Sequence, residues 1–394
     1  MKVPKSEVDH RKIKIQAQLQ KVGVDGLFIV QPVDLFYFSG TTQNGFLYIP
    51  CEGDPLLLIK QRLFVAKKES AVKNIIEFNS IEEIPSLISD FYGQLPSVLG
   101  FEFDVIPVNT FNYYRSIFSD QNCVDGSPYI LKVRRIKSDW EVEQMESTGH
   151  LFKKTFEYAK TAIRPGLSEM EFAGMMEAFA RNYSPGAFVR VRDIHTEGYP
   201  WHILSGKSGG MVGLLDSPAS GEGTSAAFPC GAGSKPLAAN EPIMIDFVFE
   251  LNGYHMDVTR MFSIGAMSKR AMKACQGAME IHNAVLKIVK PGVTVDELFR
   301  HSVSCAQNLG YAEPYLGPPG YKVSFIGHGI GLELIEGPII AGNKMDRLEP
   351  GMTFALEPKM VFENEFSAGI ESVFLVTDEG HRLISQVPVE VFIC

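Results

Sequence analysis

The second half of this chain repeats itself, and no other feature narrows the possible folds so far. RPGLSEMEF from Arg164 matches KPGVTVDELF from Lys290, with Pro165 to Pro291, Ser168 to Thr294 and Glu171 to Glu297 each 126 residues apart. In both copies a long helix should end at the Pro-Gly turn. A capping box (Ser168/Glu171, Thr294/Glu297) should then start a second helix, because hydroxyl and carboxylate satisfy orphan backbone amides reciprocally. A β-rich stretch follows each copy, at about 243 to 264 and about 352 to 377. A duplicated ααββ unit, its strands joined into one curved sheet, buries the apolar faces of the repeats most simply.

Upstream the pattern differs. From Ser6 to about Asn122, apolar runs that read as strands (GLFIV, GFLYIP, PLLLIK, SVLGFEF) alternate with amphipathic stretches that read as helices, giving an α/β domain. The joint LKVRRIKSDWE follows, where Ser138 and Glu141 form a capping box for a helix running to about Ala162. The boundary is expected near Val133, with one domain at 1–133 and the other at 134–394. A chain of 394 residues is long enough for two cores without staples.

The net charge of −9 and the lack of a basic block argue against nucleic acid, leaving small peptides or small molecules as the expected partners. Cys51, Cys123, Cys230, Cys275, Cys305 and Cys394 are scattered without a C-x-x-C pair, so reduced thiols in a cytosol are expected. The N-terminus MKVPKSEVDHRKIKIQ has no apolar core, and no stretch approaches the ~20 apolar residues of a membrane span. A soluble cytoplasmic protein without membrane contact is the expectation.

The chemistry concentrates in the β-rich stretches. EPIMIDFVFELNGYHMDVTRMFSIG reads as a hairpin turning at Asn252-Gly253. Counting back from that turn, Leu251 faces Tyr254, Val248 faces Asp257 and Asp246 faces Thr259. Asp246 and Asp257 then share one face as diagonal neighbours and repel unless a cation joins them. MTFALEPKMVF and AGIESVFLVTDEG each place one carboxylate, Glu357 and Glu371, in an otherwise apolar strand. Each needs a partner, and no neighbouring Lys or Arg is identified as supplying it, whereas a metal would. His328 in FIGHGIG completes the set, flanked by glycines that allow close backbone approach. Four carboxylates and an imidazole suit two Mn²⁺, Co²⁺ or Fe²⁺ ions better than structural zinc, with a bridging hydroxide as nucleophile.

IDFVFELNGYHMDVTR, GHGIGLELIEGP, ALEP and GIESVFLV resemble the metal-site motifs of the pita-bread metallopeptidases, which include Xaa-Pro aminopeptidases, prolidases and, as a metal-free relative, creatinase. VGVDGLFIVQPVDLFYFSG resembles the creatinase-type N-terminal domain. The resemblance implies an α+β fold, a creatinase-type α/β domain followed by a pita-bread domain. It also implies a dinuclear Mn²⁺ or Co²⁺ site (Fe²⁺ or Zn²⁺ as further options), Glu357 as general base, and a homodimer. The implied activity is an Xaa-Pro aminopeptidase or dipeptidase; a creatinase-like hydrolase or lyase of a small nitrogenous solute, or a non-catalytic binding relative, are the alternatives.

Departures from that pattern fall around the centre. Ile335 and Cys230 stand where the family has histidines, Gly369 where it has arginine, and Ser372 where it has a second acid. The Gly/Ser-rich run LSGKSGGMVGLLDSPASGEGTSAAFPCGAGSK could shape a different pocket, with His202 or Cys230 assuming a histidine's role. The plainer readings make His202 a loop residue, His255 a structural residue facing away from Asp257, and Cys230 an inert thiol. GKS at Gly206 lacks the first glycine of a phosphate loop, and GEGTSA from Gly221 has no strand leading into it, so neither is read as a nucleotide site.

Overall fold

The computed structural model describes residues 2–184, 188–193, 201–213 and 217–394; positions 214–216 of the Gly/Ser-rich run lie outside them. They divide into two compact units, one running to Arg134 and including Arg192, the other beginning at Arg135.

In the first unit α1 (Lys5–Val22), α2 (Pro32–Ser39), α3 (Leu63–Glu69), α4 (Ile84–Tyr92), α5 (Val108–Ile117) and α6 (Ser127–Arg135) alternate with strands. These are β1 (Gly26–Ile29), β2 (Gly45–Pro50), β3 (Leu56–Ile59), β4 (Asn74–Glu77), β5 (Val98–Phe101) and β6 (Asn122–Asp125). They form one mixed sheet in the order β4-β3-β2-β1-β5-β6. The central runs GLFI and LLLI are buried at every position, as strands covered on both faces must be. The apolar runs of the sequence account for β1, β2, β3 and β5. The edge strands NIIE and NCVD were missed because half-exposed edge positions weaken the apolar signal.

The second unit opens with α7 (Asp139–Ala162), started by Ser138 Oγ accepting from the Glu141 amide at 3.2 Å while Glu141 Oε2 accepts from the Ser138 amide at 3.1 Å. The same device begins α8 (Glu169–Arg181) and, after the hairpin strands and α9 (Lys269–Leu286), α10 (Val295–Asn308). The duplication extends to the turns: the Gly166 amide donates to Leu237 O at 3.0 Å, and its counterpart Gly292 donates to Leu348 O at 2.8 Å.

The strands are β7 (Trp201–Ser205), β8 (Ile243–Leu251), β9 (Tyr254–Ser263), β10 (Phe325–Gly329), β11 (Glu336–Ala341), β12 (Thr353–Leu356), β13 (Lys359–Phe362), β14 (Phe366–Gly369), β15 (Ser372–Val376), β16 (His381–Leu383) and β17 (Phe392–Ile393). They form a four-stranded sheet β17-β9-β8-β7, a five-stranded sheet β11-β10-β12-β15-β16 and the β13-β14 ribbon. The two larger sheets belong to the two repeats and meet where the Glu371 amide donates to Thr259 O at 3.0 Å. Among the described residues no helix is long and apolar enough to cross a membrane.

Candidate metal centre

The hairpin register is the one counted from its turn: Leu251 pairs with Tyr254, Val248 with Asp257 and Asp246 with Thr259. Asn252 and Gly253 both take positive φ, 59° and 87°, as a type I′ turn requires. Asp246 and Asp257 therefore project from one face of β8 and β9.

His328 lies on β10 between β11 and β12. Its flanking glycines are needed for space, since a Cβ on Gly327 would lie 2.1 Å from Ala355 O and one on Gly329 2.3 Å from Gly337 O. His328 Nδ1 is 2.9 Å from Gly329 O; a carbonyl only accepts, so Nδ1 carries the proton and Nε2 presents its lone pair. Nε2 faces Glu357 Oε1 at 3.8 Å and Asp257 Oδ2 at 4.0 Å.

Glu357 and Glu371 were expected inside strands, but both sit at strand breaks. Glu357 falls between β12 and β13, where Pro358 cannot donate to a ladder, and Glu371 falls between β14 and β15, where its amide bonds Thr259 O instead. Thr259 Oγ1 also donates to Glu371 Oε2 at 2.8 Å.

The expectation that no lysine or arginine serves these carboxylates was wrong. Lys359 Nζ donates to Glu357 Oε2 at 2.8 Å, to Asp246 Oδ2 at 2.9 Å and to Glu371 Oε2 at 3.4 Å, and the residue is 2% exposed. Burial works against its ammonium, but Asp246, Glu357, Glu371 and Asp257 overrule it and hold the pKa well above the ordinary lysine value.

One cation does not neutralise four carboxylates. Burial, reinforced by Glu371 and Asp246, pushes the Asp257 carboxyl well above the ordinary range. Burial likewise raises Glu371 to about 8, against the opposing pull of Lys359 and the hydrogen bond from Thr259. Asp246 goes the other way: burial would raise it, but Lys359 and His202 hold it below the usual carboxylate range. Among the described residues, Asp257 Oδ1 and Glu371 Oε1 are buried without a hydrogen-bond partner. Donor atoms of Asp257, His328 and Glu371 lie within 4.8 Å of one another. Two orphaned carboxylate oxygens and an imidazole lone pair fit one divalent cation, while Asp246 Oδ2, Glu357 Oε2 and Glu371 Oε2 accept from Lys359.

Of the remaining candidates, His202 is on strand β7 rather than in a loop, paired in register with Asp246. Its Nδ1 is 3.3 Å from Asp246 Oδ2, and its Nε2 is buried without a partner. Cys230 is 5% exposed, in the segment held by the Gly231 amide donating to Ser220 O at 2.7 Å. Ile335 is 39% exposed. His255 is structural: the Arg190 amide donates to its Nε2 at 3.0 Å and its Nδ1 faces Gly331 O at 3.2 Å.

Lys359 left a readable trace, a lysine two residues from Glu357 in an apolar stretch, which period-two alternation puts on the same face. Arg260 left none. It is fully buried and donates to Thr259 O, Glu371 O, Val387 O, Pro388 O and Ser372 Oγ, tying β9 to the segment that carries Glu371.

An α+β domain of duplicated ααββ halves, with a buried carboxylate and histidine cluster where the halves meet, defines a protein of the metallopeptidase type. Residues 143–378 match Metallopeptidase family M24, and residues 11–136 match the Creatinase/Prolidase N-terminal domain. The chain belongs to metallopeptidase family M24. It is 26% identical to an uncharacterized peptidase of Bacillus subtilis, YqhT, over 96% of this chain and 99% of that one. It is 24% identical to an Xaa-Pro dipeptidase of Pyrococcus furiosus, over 95% and 97%. Its fold matches the X-Pro aminopeptidase of Thermotoga maritima with a TM-score of 0.80 at 23% identity, covering 96% of this chain and 100% of that one. The Xaa-Pro dipeptidase of Bacillus anthracis gives 0.82 at 22% identity, covering 98% and 100%.

Proposed function

We propose that this chain is a metal-dependent peptidase that cleaves short peptides of the Xaa-Pro type. The observation that carries the reading is the pair of orphaned oxygens, Asp257 Oδ1 and Glu371 Oε1, beside His328 in a chain of this family. In its fullest form the centre takes two Mn²⁺ or Co²⁺ ions on Asp246, Asp257, His328, Glu357 and Glu371. Bound metal would polarise the scissile carbonyl and lower the pKa of a water.

The chain's own residues supply the rest. Glu357 is the general base toward the attacking water. His202, its Nδ1 held toward Asp246 and its Nε2 unpartnered, is the candidate to carry a proton to the leaving amine. Cys230 is the other candidate for a substrate contact. The protein acts as a cytoplasmic homodimer in this reading.

The test is hydrolysis of Xaa-Pro dipeptides and longer Xaa-Pro peptides by protein loaded with Mn²⁺ or Co²⁺. Activity that disappears with chelator and in Asp257→Asn supports the proposal; fully loaded protein that is inert on these peptides overturns it. One observation favours a second reading, a creatinase-like hydrolase or lyase of a small nitrogenous solute: Lys359 puts a fixed cation in what would otherwise be a cage of ligands. Turnover in a metabolite panel without peptide cleavage would select that reading, and metal binding with neither would select a binding protein.

A further inference from the structure

We infer that Lys359 takes the place of one divalent ion, so that this chain holds a single metal, on Asp257, His328 and Glu371. The inference rests on the metal-dependent reading and narrows its centre from two ions to one.

Geometry leaves the lysine nowhere else to go. In the β13-β14 ribbon Lys359 pairs with Gly369 and Met360 with Ala368. Met360 is fully buried in the apolar core that also holds Ile281, Leu356 and Ile370, so the opposite face of the strand is closed to a charge. Glu357, two residues earlier, turns its Oε2 to the Lys359 ammonium at 2.8 Å. The partner position is kept clear: a Cβ on Gly369 would lie 2.6 Å from Lys359 Cγ, closer than packed carbons approach. A lysine with its stem on a glycine and its nitrogen among carboxylates is a built arrangement.

The hydrogen bonds divide the cluster in two. Asp246 Oδ2, Glu357 Oε2 and Glu371 Oε2 accept from Lys359 Nζ. Asp257 Oδ1 and Glu371 Oε1 have no partner, and they belong to the same three residues whose donor atoms converge with His328. Glu371 serves both halves, one oxygen to each. A second divalent ion would have to sit against the ammonium that already bonds Asp246, Glu357 and Glu371. Asp246, released from ligation, is left to hold His202.

The experiment counts ions in the full-length protein. Wild type stripped with chelator and reloaded with Mn²⁺ should contain one ion per chain by elemental analysis, with the electron paramagnetic resonance spectrum of isolated Mn²⁺. Asp257→Asn should lose that ion. Lys359→Met and Lys359→Ala should take up a second, seen as two ions per chain and a magnetically coupled spectrum. Two coupled ions in wild type overturn the inference while leaving a metal-dependent peptidase intact. A single ion in both lysine variants also overturns it. No ion in wild type overturns both readings. The wild-type count needs no variant to fold.

Discussion

The ammonium nitrogen of Lys359 lies 2.8 Å from Oε2 of Glu357, a contact between residues two apart in sequence and both buried. Removing one partner of a buried ion pair strands the other, which typically costs about 3 to 5 kcal/mol. Lys359→Met should therefore lose stability of that order in urea denaturation with chelator present, and Mn²⁺ should restore much of it. Equal stability of variant and wild type in chelator would show that the lysine contributes nothing to the fold.

Glu357→Gln keeps the shape of the side chain and removes its basicity. Peptide hydrolysis should fall by about 10²- to 10⁴-fold, the range of a general base. Metal content should stay at the wild-type value, since Glu357 pairs with Lys359 and stands outside the single-ion set of Asp257, His328 and Glu371. Loss of metal along with activity would instead make Glu357 a ligand.

Gly369→Ala pushes a Cβ to 2.6 Å from Lys359 Cγ. Overpacking of this kind costs about 1 to 3 kcal/mol. The penalty should shrink in a Lys359→Ala background, where the obstructing stem is absent, and a double-mutant cycle by chemical denaturation measures the difference. Additive effects would show that the two residues do not share space.

Arg260 donates to Pro388 O at 2.6 Å, Val387 O at 2.7 Å and Thr259 O at 2.8 Å, and to Glu371 O and Ser372 Oγ besides. Burial lowers its pKa to about 9, which leaves it charged at neutral pH. Arg260→Leu strands several buried carbonyls and should destabilise the protein by about 3 to 5 kcal/mol, since each orphaned group costs ~1 kcal/mol or more. Arg260→Lys should recover little, because an ammonium cannot reproduce the planar fork. Thermal melts of the three proteins decide this.

His282 gives the fold an acid-sensitive point away from the centre. Burial lowers its pKa from 6.5 to about 4, and its Nε2 has no partner. Above pH 6.5 folded and unfolded chains are both neutral there and stability is complete. As pH falls from 6.5 towards 4 the unfolded chain binds a proton that the folded one refuses, so stability drops, by roughly 3 kcal/mol at most. His282→Phe keeps a ring against Phe374 and should lack this component of the loss. Denaturation midpoints at pH 7.5 and pH 5 that shift equally in variant and wild type would rule it out.

Much of the fold is legible because its rules are local. The capping boxes at Ser138, Ser168 and Thr294 announce their helices within three residues, and the turn at Asn252-Gly253 sets the whole β8-β9 register by counting. The same counting places Asp246 and Asp257 on one face. His328 between two glycines is readable for the same reason, since the space those glycines leave is written in the residues beside it.

What required the tertiary structure is the convergence of distant elements. His202 meets Asp246 only because β7 pairs with β8 across about 40 intervening residues, and Arg260 binds five groups of which four lie more than 100 positions away. Lys359 stands between these cases. Alternation in the sequence places it on the face of Glu357, but nothing local says that this face turns toward Asp246 and Glu371 or that Gly369 leaves it room. The amino-acid sequence by itself determined that Asp246 and Asp257 share one face of the hairpin, because side-chain direction along a strand follows from a period of two. Only the packing of the two repeats decided which of them are already paired and which remain open to a metal, because the partners come from strands far apart in the chain.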